Sequence, residues 1–394
     1  MSPRVIVVGI GADGLSGLGA KARAELERAT VVHGSQRQLD LLDDSVTAER
    51  QPWPSPLVGA LGAIRDDARE DVHIVASGDP MLHGIGATAI RVFGQDRVTV
   101  FPHVSSVTLA CARVGWSVQD TEVISLVTAP AHTAVRRGGR AIVLSRDASS
   151  PATVARLLAE TGRGDSEFSV LEQLGGPAER RRDGTAREWA DNPADDVDAL
   201  NVVAVRYLPD ERQFQVLPDD QFAHDGQLTK QSIRAVTLAA LAPRPGELLW
   251  DVGAGSGSIA IEWCRSGTGC RAVAFERDDV RRQRIVDNAI THGVDVEAGG
   301  AAPESFGTQQ PAAIFVGGGV TRPGLLDTCY RRLQPGGRLV ANVVTAESEA
   351  VLTQRYLELG GELRRFQHYR GEPVGTFTGF RPAMPITQWV VRKP

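Results

Sequence analysis

Short, continuous apolar runs alternate along the chain with longer amphipathic stretches. Two of these runs end in glycine-rich turns, in segments 4–14 and 247–258. Continuous apolar runs of this length are typical of strands buried on both faces of a parallel sheet. Further runs of the same kind are 72–76, 98–101, 141–144, 202–205, 271–275, 312–316, 338–344 and 387–391. Helical patterns such as 150–161 lie between them, so the chain is predicted to form α/β domains.

A polar segment with two prolines, residues 209–227, separates two sets of predicted strands. A chain of 394 residues also exceeds what one core usually supports. We therefore predict a first domain over 1–208, a linker over 209–227 and a second domain over 228–394. The irregular stretch 175–198 carries locally balanced charges, which is typical of a solvated excursion within the first domain.

Composition and charge argue against a nucleic-acid-binding protein and against a membrane protein. Hydrophobic residues make up 42% of the chain and charged residues 23%, with a net charge of -5. The acidic balance argues against nonspecific nucleic-acid binding, which calls for a basic face. No apolar run approaches the roughly 20 residues of a spanning helix, and no signal-peptide pattern is found near the start. We expect a soluble, cytoplasmic enzyme with neither nucleic acid nor membrane as a partner.

The cysteines indicate neither a disulfide framework nor a metal site. There are four, none in a C-x-x-C pair, and no histidine cluster has zinc spacing. We therefore predict no bound metal.

The glycine loop of the second half carries the clearest chemistry. Glycines between a strand and a helix let a ligand approach the backbone closely, next to the free N–H groups of the helix. An acid at the end of the next strand, Glu276, accepts hydrogen bonds from ribose hydroxyls. An adenosine-type ligand is therefore predicted. Its candidate contacts in these two elements are Asp251, Gly253, Ala254, Gly255, Ser256, Gly257 and Glu276.

The spacing of the glycines discriminates between ligands. A dinucleotide loop has its third glycine where this chain has Ser258, and here Gly257 comes one residue earlier. Asp251 would face a pyrophosphate unfavourably, but it suits a ligand with an ammonium group. S-adenosylmethionine is therefore favoured, while NAD and a purely structural turn remain as alternatives.

Three further elements frame this loop. Residues 228–233 are expected to begin a helix with Thr229 as its N-cap, and Ile233, Val236, Ala240 and Leu241 on one face. Segment 300–304 follows the third strand, where an adenine should lie. Segment 315–319 ends a strand on the expected substrate side.

The run 228–263 closely resembles the class I methyltransferase domain of the corrin-ring methylases that methylate and decarboxylate precorrin-6. The matching elements are Leu-Thr-Lys, Trp-Asp-Val-Gly-Ala-Gly-Ser-Gly-Ser, Ala-Pro-Glu and Val-Gly-Gly-Gly. The resemblance implies a Rossmann-like domain and adds Thr229, Ala301 and Ala302 as cofactor contacts. Ala301 replaces an Asp of that family, so only its backbone is expected to contact adenine.

The first half carries three other motifs, in segments 9–14, 76–84 and 101–107. Together they resemble the tetrapyrrole methylases (class III methyltransferases). The resemblance implies a bilobal domain that binds S-adenosylmethionine in its cleft. It carries over as cofactor-lining residues Gly11, Asp79, Met81, Ser105 and Ser106. Turn capping by Asp79 and helix capping by the two serines are the structural alternatives.

This half departs from the tetrapyrrole methylases in two places. Ala12 and Asp13 replace a Pro-Gly pair, and Ser125-Leu126-Val127-Thr128 replaces a Ser-x-His-Gly-Arg element.

Taken together, the two halves resemble the decarboxylating precorrin-6Y methyltransferases of cobalamin (vitamin B12) biosynthesis. The resemblance implies two S-adenosylmethionine sites and a precorrin substrate. It implies methylation of ring carbon 5 by the first domain, and decarboxylation of the carbon-12 acetate with methylation of carbon 15 by the second. A homo-oligomer is also expected.

The catalytic and substrate-binding residues are less defined. Methyl transfer needs positioning more than acid–base help, so no catalytic residue is assigned. Arg322, Arg370 and Arg381 are hypothesised to bind substrate carboxylates. Three alternatives remain: a methylase of another tetrapyrrole with one inactive domain, an NAD-dependent oxidoreductase, and a noncatalytic tetrapyrrole carrier.

Overall fold

The computed structural model describes residues 3–54, 57–67, 69–136, 138–209 and 215–394. The chain divides into two compact units, Met1–Pro209 and Asp210–Pro394.

The first sheet of the first unit is parallel throughout. Its strands and helices are β1 (Val5–Ile10), α1 (Ala20–Glu27), β2 (Val31–Gly34), α2 (Gln36–Asp40), β3 (Glu49–Pro52), α3 (Leu57–Asp67), β4 (Val72–Ser77), α4 (Ile85–Phe93) and β5 (Val98–Phe101). The strand order is β3-β2-β4-β1-β5. All six residues of β1 are buried, because side chains of the sheet pack into a separate apolar cluster on each face.

The second sheet of this unit is mixed. It is built from α5 (Ser106–Val114), β6 (Glu122–Ser125), β7 (Arg140–Leu144), α6 (Ser150–Glu160), β8 (Glu167–Glu172), β9 (Arg180–Thr185), α7 (Ala186–Asp191) and β10 (Asn201–Arg206). The order is β6-β7-β10-β8-β9, and of these pairs β6 and β7 alone run parallel.

One expectation for this sheet is wrong and another is incomplete. Strand 202–205 was expected to be parallel, but it is antiparallel to both of its neighbours. The side chains of this strand are buried on both faces of the sheet. Its apolar run therefore indicates burial, and it does not indicate the direction of the strand. Segment 175–198 is not merely a solvated excursion, since it contains β9 and α7 and buries Ala186 and Trp189.

The second unit is a seven-stranded sheet with helices on both sides. Its elements are α8 (Gln231–Leu241), β11 (Leu248–Val252), α9 (Ser258–Arg265), β12 (Arg271–Phe275), α10 (Asp279–His292), β13 (Val296–Gly299), β14 (Ala313–Val316), α11 (Leu325–Arg332), β15 (Arg338–Val343), α12 (Ala346–Leu359), β16 (Glu362–Phe366), β17 (Tyr369–Val374), β18 (Phe377–Pro382) and β19 (Ile386–Arg392). The order is β13-β12-β11-β14-β15-β19-β16.

Strand direction again differs from expectation at one place. The strands from β13 to β15 are parallel, whereas β19, which contains the run 387–391, is antiparallel to both β15 and β16. Near the C-terminus, β17 and β18 form a hairpin whose turn lies at Gly375 and Thr376.

The segment expected as a linker packs in part on the second unit. Leu217 and Phe222 are buried there against Ile261 and Ala289. This segment also supplies the cap of α8. The helix begins at Gln231, with Lys230 and not Thr229 at its N-cap position. The carboxylate of Asp219 accepts a hydrogen bond from the Gln231 backbone N–H at 2.8 Å.

Candidate functional sites

The first unit contains a cavity of about 370 Å³ to which both of its sheets contribute. Gly11 and Asp79 come from the chain just after β1 and β4, and Ser105 and Ser106 from the start of α5. Asn201 comes from the first residue of β10 in the other sheet. Of the five cofactor residues predicted here, four therefore line one cavity.

The backbone of this site is closely packed at the end of β1. A Cβ atom at Gly9 would lie 2.1 Å from the carbonyl oxygen of Gly78. Only a glycine lets β1 approach the turn after β4 this closely. The turn itself is held by Asp79, whose Oδ1 accepts from the Met81 backbone N–H at 2.9 Å. Asp79 is therefore both a turn cap and a cavity residue.

Ser105 also has two roles. It is the N-cap of α5, and its Oγ accepts from the backbone N–H of Thr108 at 3.1 Å. Its predicted capping function is confirmed, and it lines the cavity as well. Ser106 is the first residue of the helix.

Met81 is the predicted residue that the structure places elsewhere. Its side chain is 48% exposed, and it is not among the described residues that line the cavity. The turn after Asp79 directs it towards Gly86 of α4.

Three polar groups that the motifs did not identify face the same cavity. Ser125 Oγ, Ser145 Oγ and Asn201 Oδ1 are buried and have no hydrogen-bond partner among the described residues, and all three residues line the cavity. Leaving such groups unpaired costs free energy, which a polar ligand would recover. The site therefore fits a ligand with hydrogen-bonding groups, such as S-adenosylmethionine.

In the second unit the glycine loop joins β11 to α9, and hydrogen bonds to the last residue of β12 fix its position. The backbone N–H groups of Gly253 and Ala254 donate to the carbonyl oxygen of Phe275 at 3.0 and 3.1 Å. Gly253 has φ of +71°, and a Cβ atom there would lie 2.7 Å from the backbone nitrogen of Gly318. This position therefore requires glycine for two reasons.

Glu276 lies at the end of β12 and is almost completely buried. Its two carboxylate oxygens accept from the backbone N–H groups of Gly255 at 3.0 Å and Asp278 at 3.1 Å. Because a carboxylate has about four acceptor positions, it retains capacity for ribose hydroxyls. Glu276 also lines a cavity of about 930 Å³.

Most residues predicted for the second cofactor site meet at this cavity. They are Thr229, Gly253, Ala254, Gly255, Ser256, Glu276, Ala301 and Ala302. Within the part of the chain that the structure describes, the buried Ser256 Oγ has no hydrogen-bond partner, which suits a polar ligand. Asn288, which the motifs did not identify, fixes the loop by donating to the Ser256 carbonyl oxygen at 3.0 Å.

Asp251 and Gly257 are not among the described residues that line this cavity. Asp251 is 1% exposed behind the loop, where its Oδ2 accepts from the Ala260 backbone N–H at 3.1 Å. Burial raises the pKa of Asp251 to about 7, and the negative charge of Glu276 adds to this rise. Gly257 instead packs against Ile285 of α10. The structure therefore does not support the prediction that Asp251 and Gly257 contact the cofactor directly.

The three arginines predicted to bind substrate separate into two groups. Arg322 lines the cavity, donates to the Ala302 carbonyl oxygen and pairs with Glu304. Arg370 and Arg381 lie opposite each other in the β17–β18 hairpin and are not among the described lining residues. Arg381 is 76% exposed and pairs with Glu372 at 3.2 Å.

Basic residues that the sequence reasoning missed also line the cavity: Lys230, Arg277 and Arg281. Their signal was weak, because single cations beside a loop are common on any protein surface. Within the described ranges, no cluster of three or more His, Cys, Asp or Glu side chains is arranged to hold a metal ion. No helix in that part of the chain is both long and apolar enough to cross a membrane.

Comparison with protein families assigns each unit. Residues 4–190 match the family described as Tetrapyrrole (Corrin/Porphyrin) Methylases. Residues 220–393 match the family described as Precorrin methyltransferase domain.

Full-length relatives extend this assignment. A precorrin-6Y C(5,15)-methyltransferase [decarboxylating] of Mycobacterium tuberculosis is 66% identical over 390 residues, which are 99% of this chain and 100% of that protein. A protein of the same name from Sinorhizobium sp is 40% identical over 99% of this chain and 96% of its own length. The solved C-terminal domain of the Rhodobacter capsulatus precorrin-6Y C5,15-methyltransferase is 44% identical, covers 46% of this chain and 100% of its own, and has a TM-score of 0.44. The chain belongs to the family of decarboxylating precorrin-6Y C(5,15)-methyltransferases.

Proposed function

We propose that this methyltransferase transfers methyl groups from S-adenosylmethionine to carbons 5 and 15 of a reduced precorrin-6 macrocycle and decarboxylates its carbon-12 acetate. The observation that carries the proposal is the presence of one cavity in each of two methylase units, each lined by most of the residues predicted for the cofactor. The proposal includes two cofactor sites per chain, and this arrangement of cavities supports it.

The two reactions are assigned to different units. The first unit, with Gly11, Asp79, Ser105 and Ser106 at its cavity, methylates carbon 5. The second unit removes carbon dioxide and methylates carbon 15. This division rests on the resemblance of each half to methylases of the corresponding type.

Bound S-adenosylmethionine supplies an electrophilic methyl group and a neutral thioether as the leaving group. The chain has to orient the ring carbon and the methyl group in line and to exclude water. Orientation of this kind can lower an activation barrier by roughly 7–11 kcal/mol. In the second unit Glu276 and the backbone of loop 253–256 hold the cofactor. In the first unit the Asp79 turn and the start of α5 do so.

Each methylation forms a carbon–carbon bond as the carbon–sulfur bond breaks, and the ring carbon then releases its proton. In the decarboxylation, the bond to the carboxylate carbon breaks and its electron pair enters the conjugated ring. The side-chain carbon then takes up a proton.

Arg322 remains the best placed of the three proposed substrate arginines, since it lines the second cavity. Arg370 and Arg381 would contribute only through the exposed hairpin. Cytoplasmic location, homo-oligomer formation and lack of nucleic-acid partners remain predictions from sequence. Neither the oxidoreductase nor the carrier alternative gains support from the relatives.

Mass spectrometry of products tests the proposed reaction. Purified protein is incubated with reduced precorrin-6 and S-adenosylmethionine. We expect a gain of two methyl groups and the loss of one carbon dioxide. A single methyl gain would show that one unit is inactive on this substrate. An unchanged mass, with the cofactor still bound, would contradict the substrate assignment.

A further inference from the structure

Arg37 is a cation in the cavity of the first unit that the predicted cofactor set does not include. It lies on α2, lines the cavity, and its Nη2 donates to Ser77 Oγ at 2.8 Å. Among the described residues, no carboxylate oxygen lies within 4.0 Å of its guanidinium nitrogens. Arg4, Arg23 and Arg113 of the same unit, by contrast, pair with acids at the surface.

The surroundings of Arg37 are unfavourable for an unpaired cation. Burial lowers the pKa of its guanidinium, and the more distant charge of Asp198 offsets this only in part. An arginine nevertheless stays charged at neutral pH and carries five N–H donors in a planar fork. With one of these hydrogen bonds satisfied by Ser77, the group is suited to bind a carboxylate that enters the cavity.

We propose that Arg37 binds a carboxylate side chain of the tetrapyrrole in the first unit and thereby positions the macrocycle for methylation. This inference rests on the function proposed above. It adds a substrate-positioning residue to a site whose predicted residues all concern the cofactor.

A carboxylate could come from the macrocycle or from the methionine part of the cofactor, and the strand order favours the macrocycle. The predicted cofactor residues follow β1, β4 and β5, whereas Arg37 follows β2. Trp53, which follows β3 at the edge of the same sheet, also lines the cavity. Its ring stacks on that of His33, with 5.4 Å between the ring centroids. Cation and aromatic group together suit a flat polycarboxylate.

The test compares Arg37→Gln, Arg37→Lys and the control Arg91→Gln in the full chain. Arg91 is an exposed arginine of α4 that is not among the described cavity residues. The rate of methylation at carbon 5 is measured against the concentration of reduced precorrin-6. Binding of S-adenosylhomocysteine and the unfolding temperature are measured in parallel.

We expect Arg37→Gln to raise KM for the macrocycle by about tenfold, the loss expected for a charge-assisted pair, with kcat much less affected. Arg37→Lys should restore part of this loss, since it keeps the charge. Affinity for S-adenosylhomocysteine and the behaviour of Arg91→Gln should match the wild type.

Several results would overturn the inference. One is an unchanged KM in Arg37→Gln. Another is weaker S-adenosylhomocysteine binding with an unchanged macrocycle KM, which would assign the carboxylate to the cofactor. Arg37→Gln could have a lower unfolding temperature than the wild type, and Arg37→Lys then decides. If Arg37→Lys folds stably and its KM rises as much as that of Arg37→Gln, the positive charge does not bind the macrocycle and the inference is overturned. A wild type that methylates no precorrin would instead refute the proposed function.

Discussion

Asp251, the fourth residue of β11, has an almost completely buried carboxyl group, and one of its oxygens has no hydrogen-bond partner among the described residues. Its pKa is raised to about 7 chiefly by burial. The folded protein therefore holds a proton that the unfolded chain, with an aspartate pKa near 4, releases. Stability should fall as pH rises from about 4 to 7 and then level off.

Asp251→Asn removes this titration while keeping an acceptor for the Ala260 N–H. We expect the variant to be more stable than the wild type at pH 8, by an amount on the order of a few kcal/mol at most. The difference should shrink towards zero as pH approaches 4. Thermal unfolding of the cofactor-free chain between pH 5 and 8 measures this difference in stability. Hydrogen exchange of the β11–α9 region shows whether the change in stability lies in the second unit.

Glu297→Gln is the control for the pH series, since it removes an exposed carboxylate from the same sheet. Asp251→Asn should gain more stability over the wild type at pH 8 than Glu297→Gln does. A wild-type advantage over Asp251→Asn of constant size between pH 5 and 8 would contradict the raised pKa.

At the scale of single residues, motif spacing identified the groups that lie next to the glycine loop, such as Glu276 and Gly253. It failed where several distant segments meet. Asn201, Ser145 and Arg37 line the first cavity only because strand pairing places β10 beside β7 and β2 beside β4. No local pattern marks such residues in one sequence.

Among the secondary-structure elements, the start of α8 shows how tertiary contacts override a local signal. Thr229 is a good N-cap by residue type, yet the helix begins two residues later and is capped by the distant Asp219. Arg234, which has no exposed surface, donates to Asp219 and to the Thr229 carbonyl oxygen. This network holds the chain leading to the second cavity in place.

The glycine loop between β11 and α9 permits a prediction with a matched control. Gly253 and Gly246 both have positive φ, but a Cβ atom at Gly246 would meet nothing within 4 Å. Gly246→Ala should therefore lose only about 1 kcal/mol of stability. Gly253→Ala should lose more, because the new methyl group would meet the backbone of Gly318.

Calorimetric titration with S-adenosylhomocysteine gives the functional readout for these variants. The wild type and Gly246→Ala should bind two molecules per chain, and Gly253→Ala one. Two tight sites in Gly253→Ala would show that this loop does not form a cofactor site.

For the whole molecule, apolar periodicity and glycine turns predicted the α/β class and most of the strands. They could not give the direction of β10 or β19, because a strand buried on both faces has the same apolar pattern in either direction. The burial of Leu217 and Phe222 in the second unit could not be predicted from the sequence either. The prolines and polar residues around them indicated a linker.

Two separate methylating sites in one chain should each methylate a different ring carbon. The most direct measurement is NMR of the product formed with reduced precorrin-6 and S-adenosylmethionine labelled with ¹³C in its methyl group. The wild type should show label at carbons 5 and 15 and a decarboxylated side chain. Gly253→Ala should show label at carbon 5 alone, with the acetate retained. Label at both carbons in that variant, at the wild-type rate, would contradict the account.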